Sequence, residues 1–99
     1  VKWPSDIPIY GYSIPITCTT DMDDDLYGEF THDGNNPEIK VQAFPGGGFQ
    51  DDSIAHEVIH AWLWATGLIE LKEIKAYEEI ICKSFAPLLV QLVKEFYNE

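Results

Sequence analysis

Short alternations of apolar and polar residues fill the first half of the chain, and long helical stretches fill the second. Ile7 and Ile9 mark an extended lead-in, where Pro4 and Pro8 disfavour helix. From Ile14 to Thr20, Ile14, Ile16 and Cys18 alternate with polar or proline positions, which predicts a strand with one buried face and, from Pro15, an edge position. Leu26 to Thr31 and Glu38 to Phe44 alternate in the same way, and the turn formers His32 to Pro37 between them predict an antiparallel hairpin. Asp21 to Asp25 reads as a solvated acidic turn, without the glycine and register of a calcium loop. Pro45 to Gly48 reads as a flexible loop.

The alternation then stops. Ser53 to Thr66 is apolar on nearly every side, the mark of a buried helix, with Asp51, Asp52 or Ser53 available as its cap and Gly67 as its stop. A final helix is expected from Lys72 to Tyr97, kinked or split at Pro87. The expected fold class is therefore α+β: a small antiparallel sheet of about three strands packed on two helices. The 99 residues make one domain, 1–99, just long enough for a single core.

Composition narrows the function classes. Seventeen acidic residues against six basic ones give a net charge of −11. Such a field repels nucleic-acid phosphates and anionic membranes and favours basic peptide segments. No apolar run approaches the length of a membrane span and no signal-peptide pattern is visible, so a cytoplasmic location is expected. Cys18 and Cys82 share no close spacing and read as two buried thiols rather than a disulfide.

The chemistry is concentrated in the buried helix. His56-Glu57-Val58-Ile59-His60 is an HExxH motif, and residues four apart share a helix face, so the two imidazoles can hold one divalent metal ion, zinc by preference. Glu57 lies on the flank of that face, where it can act as general base toward a zinc-bound water without being a ligand. A third ligand has to come from elsewhere. No histidine follows His60, and His32 falls in the hairpin turn as a surface residue. Glu78 and Glu79 remain. At about 100° per residue Glu78 shares the stripe of Ile74, Ile81 and Phe85, whereas Glu79 falls between Lys75 and Lys83. A carboxylate on an apolar face needs a partner, so phase favours Glu78 over Glu79 as the ligand.

With these pieces in order, the chain resembles the small phage- and plasmid-borne zinc metallopeptidases of the ImmA/IrrE kind and the wider gluzincins. The resemblance rests on IYGYSIPITC, LYGEFTHDGNNPEIKVQ, DDSIAHEVIHAWLWATGL and YEEIICKSFAPLL, which together span nearly the whole chain. It implies a zincin-like fold, a glutamate ligand on a C-terminal helix, and hydrolysis of peptide bonds in a peptide or protein substrate. His56 and His60 match the histidine ligands and Glu57 the base. Glu78-x-x-Ile81 and Glu79-x-x-Cys82 both fit the glutamate run, so the match leaves their register open. An extended C-terminal region of the family has no counterpart here. Substrate is expected to lie along a sheet edge, with Glu38 to Phe44 as the candidate strand. Tyr27, His32 and Tyr77 are candidates for an oxyanion donor. The alternative is a catalytically silent zincin-fold protein that binds a host protein through its acidic surface.

Overall fold

A computed structural model of the chain describes residues 2–20, 22, 27–43 and 48–96, the side chains of residues 48–50 excepted. Four strands, β1 (Asp6–Ile9), β2 (Tyr12–Thr19), β3 (Gly28–Thr31) and β4 (Glu38–Gln42), form one sheet in the order β1-β2-β4-β3. Among the described residues three α-helices follow: α1 (Gly48–Thr66), α2 (Lys72–Ala76) and α3 (Glu78–Phe96). The class is α+β, as the pattern implies, and none of the described helices is long and apolar enough to cross a membrane. The acidic turn at Asp21–Asp25 lies almost wholly outside the described residues, as does most of the loop ahead of α1.

The sheet is mixed rather than antiparallel, and among the described residues it has four strands rather than three. The β3–β4 hairpin forms as its turn residues dictate, but β2 and β4 pair in parallel. Local alternation shows that a segment is a strand and says nothing of the direction of a distant neighbour. The lead-in becomes β1, antiparallel to β2. Pro15 consequently sits in an interior strand. The two halves of β2 divide its neighbours: residues 12–15 pair with β1 and residues 16–19 with β4. Pro15 lies at the changeover, in the half paired with β1 alone, so its missing N–H disrupts no ladder to β4. The same topology makes β4 central and leaves β3 as the outer strand beside α1.

The inward faces of the strands build the core. Ile14, Ile39 and Val41 are fully buried and cluster with Ile9, Ile54 and Ala61. Burying each of the larger side chains contributes about 1.5–3 kcal/mol. The indole N–H of Trp3 donates to Asp51 Oδ1 at 3.1 Å and ties the amino-terminal segment to α1. Because α1 begins at Gly48, Asp51, Asp52 and Ser53 lie inside the helix rather than capping it. Its end is as expected: Gly67 takes φ +80° and its N–H bonds the Trp64 carbonyl at 3.1 Å.

One face of α1 packs on the sheet and another on α3, which accounts for its apolar residues on nearly every side. The last helical stretch does split, at Tyr77 rather than at Pro87. Tyr77 leaves the helical region (φ −114°, ψ 16°). Its carbonyl accepts from the Ile81 N–H at 2.9 Å, which starts α3 at Glu78. Pro87 is exposed, so water can satisfy the carbonyl that its ring leaves without a donor, and α3 continues through it. Cys82 is buried as expected, whereas Cys18 is exposed, and both are free thiols.

Candidate metal centre

The two histidines of α1 meet as the i, i+4 spacing requires: His56 Nε2 and His60 Nε2 lie 3.1 Å apart. The first turn of α3 closes on them. Glu79 reaches both imidazoles, with Oε1 2.9 Å from His60 Nε2 and Oε2 3.3 Å from His56 Nε2. Glu78 takes the opposite side of the same ring, its Oε2 2.6 Å from His60 Nδ1. Both glutamates occupy the amino-terminal turn of α3, where the helix dipole favours negative charge.

His56, His60 and Glu79 each offer a ligand atom, and these atoms lie within 4.8 Å of one another. The set fits a divalent metal ion. Tetrahedral zinc bonds of about 2.0–2.1 Å put neighbouring ligand atoms about 3.3 Å apart; the two imidazole nitrogens stand 3.1 Å apart, and each ring has a different Glu79 oxygen beside it. In the tautomer that donates Nδ1–H to Glu78, His60 presents its Nε2 lone pair toward His56 and Glu79. A carboxylate behind a ligating imidazole is the usual orienting partner of a metal-bound histidine. The geometry thus gives the two acids different places. Glu79 joins the histidines at the candidate ligand position, and Glu78, favoured for that position by helical phase, holds the ring of His60.

Glu57 sits beside this cluster and is only 8 % exposed. Burial is the main cause that raises its carboxyl pKa to about 7. The nearby charges of Glu79, Glu29 and Glu78 push in the same direction, and His60 opposes them. Burial, and then the charge of His60, lowers the pKa of His56, which favours the neutral ring that a metal requires. Gly28 of β3 makes room for Glu57: a Cβ at Gly28 would lie 3.1 Å from both Cγ and Oε2 of that side chain. A glycine inside a strand pattern is the sequence signal for such a close approach.

Two cavities flank Glu57. One, of about 320 Å³, is lined by Tyr27, Gly28, Asp52, Ser53, His56, Glu57, Glu79 and Lys83. The other, of about 220 Å³, is lined by Phe30, His32, Glu57, His60, Trp64, Ile69 and Glu78. Of the candidate oxyanion donors, Tyr27 therefore faces the first cavity and His32 the second. His32 is exposed, as its turn position implies, yet it stacks on Trp64 at 5.0 Å between ring centroids. Tyr77 is exposed at the break before α3. Lys83 and Trp64 were readable as neighbours of the site: Lys83 follows Glu79 by one helical turn, and Trp64 follows His60 by one turn on the same face. No family model, curated protein or solved structure matches the chain. What the site can do is therefore argued from its own donors, distances and cavities.

Proposed function

We propose that the chain is a zinc-dependent peptidase of minimal zincin form, holding the metal through His56, His60 and Glu79. The observation that carries this reading is the convergence of two imidazole nitrogens and a carboxylate next to a buried glutamate that is not one of the three. Three protein ligands are the usual complement of a catalytic zinc site, whereas structural sites are closed by four. A zinc ion bound there supplies Lewis-acid chemistry, acidifying water and polarising a carbonyl.

The remaining work falls to the chain. Glu57 accepts the proton of the attacking water and returns it to the departing amine, a role suited to a buried carboxyl beside the three ligand positions that is not one of them. Glu78 keeps His60 in one tautomer and orientation. The outer strand β3 runs beside Glu57 at Gly28 and offers a backbone edge to an extended peptide, in place of the central β4. The acidic field of the molecule favours substrates with basic segments.

Glu57→Gln tests this function. Turnover of an unstructured polypeptide should fall by roughly 10²–10⁴-fold, the usual contribution of a positioned general base. Zinc content and fold should be retained. Unchanged biological activity in Glu57→Gln would instead support a zinc-holding binding protein.

A further inference from the structure

The two cavities beside Glu57 differ in chemistry. Both are edged by ionisable groups, Asp52, His56, Glu79 and Lys83 in the first and His60 and Glu78 in the second, and the first has one aromatic ring, Tyr27. The second has three aromatic rings in its wall, Phe30, His32 and Trp64, with Ile69 closing it. These rings are braced against one another. Trp64 contacts Phe30 at 5.7 Å, and behind it Tyr12 at 4.7 Å, between ring centroids. The wall is thus built from β3, the turn after it and α1, with Tyr12 of β2 in support, and these strands and α1 also carry the core.

We infer that this aromatic cavity is a substrate subsite that takes a flat aromatic side chain close to the cleaved bond. The inference rests on the peptidase reading and adds a substrate class to it. Its volume, about 220 Å³, open to solvent on one side, leaves room for one ring-sized side chain against these walls. Offset and edge-to-face ring contacts favour an aromatic guest beyond its buried area. A cationic guest would need a free carboxylate. Of the two acids in the lining, Glu78 is held by His60, and Glu57 is buried against Gly28.

Position follows from the strand. Gly28 and Phe30 are alternate residues of β3 and share a face, so the aromatic wall begins two residues along from the point where the strand meets Glu57, about 7 Å. An extended peptide on this edge therefore carries its aromatic side chain within about two residues of the bond that Glu57 serves.

The test uses zinc-loaded protein and three short succinyl hydroxamates that differ only in one side chain: benzyl, aminobutyl or methyl. Calorimetry reads each affinity, and the zinc content of the same sample is measured. Wild-type protein should bind the benzyl compound roughly ten-fold or more tightly than the other two. Trp64→Ala removes packing that the core also uses, so Ile69→Trp, in the short turn after Gly67, is the better variant. It fills the cavity and should bring the benzyl and methyl compounds to equal affinity while circular dichroism is unchanged. Equal affinities in wild type, tightest binding of the aminobutyl compound, or zinc-loaded protein that binds none of the three would overturn the subsite and leave the metal reading standing. Failure to take up zinc would overturn both.

Discussion

Helices α1 and α3 are equal in length and bring the site together in opposite ways. On α1 the functional residues are surrounded: Ile54, Ala55, Ala61 and Leu63 are buried, and Glu57 is buried with them. On α3 the large apolar residues Ile80, Phe85, Leu88 and Leu92 are exposed, and the buried positions are the small residues Cys82 and Ala86. Small side chains let two helices approach closely, which is what brings the first turn of α3 onto the imidazoles of α1. The contrast teaches that the large apolar residues of a helix and its closest contact need not coincide: Phe85, Leu88 and Leu92 line an open groove with Val58, Ile59 and Trp62 of α1. A stripe of large residues shows where a helix is apolar, and the closest approach is set by the residues that leave room.

The largest expected effect separates the two acids of α3. Glu79→Gln should lower zinc affinity by well over 100-fold, as the loss of a ligand, whereas Glu78→Gln should cost about 10–100-fold, the usual effect of removing an orienting partner. Competition with a fluorescent chelator measures both, and the reverse order would exchange their roles.

A smaller effect concerns the buried acid of α1. The pKa of Glu57 in the folded, metal-free chain is raised to about 7 from an ordinary value of 4.5. The folded state therefore binds the extra proton between those values, and stability falls as pH rises through that window. The penalty is absent below about pH 4.5 and complete above about pH 7, at up to about 3 kcal/mol. Urea unfolding of metal-free protein at pH 5 and pH 7.5 should show this loss, and Glu57→Gln should remove its part of the slope. A slope unchanged by the substitution would mean that Glu57 is already ionised when folded.

The third effect is on the helix contact itself. Ala86→Leu overfills the α1–α3 contact and should destabilise by about 1–3 kcal/mol, with weaker zinc binding because Glu78 and Glu79 are carried away from the histidines. Leu88→Ala, in the half-open groove beside that contact, should cost far less. Equal losses would place the packing on the large stripe rather than on the small residues.

The same contrast explains what could be read from the residues. The HExxH pair, the glutamate flanking it and the Gly67 stop are local, set by helix geometry within a few positions, and the structure brings them out where the spacing puts them. The sheet was legible as strands and as a hairpin, but its parallel β2–β4 pair and the outer place of β3 depend on chain segments far apart in sequence. Taking Ile74, Ile81 and Phe85 as the buried stripe of one continuous helix favours Glu78. The break at Tyr77 removes Ile74 from that helix, and the observed contact face runs through Cys82 and Ala86. Measured from Cys82 at about 100° per residue, Glu78 and Glu79 lie roughly 40° to one side and 60° to the other. Both acids therefore reach His60, one at each ring nitrogen, a division that periodicity alone does not resolve.

The most direct test is diffraction from zinc-soaked crystals at the zinc absorption edge. One anomalous peak is expected per chain, about 2.0–2.2 Å from His56 Nε2, His60 Nε2 and a carboxylate oxygen of Glu79, with Glu78 still on His60 Nδ1. A peak bonded to Glu78 in place of Glu79, or no peak between the two imidazoles, would contradict the account.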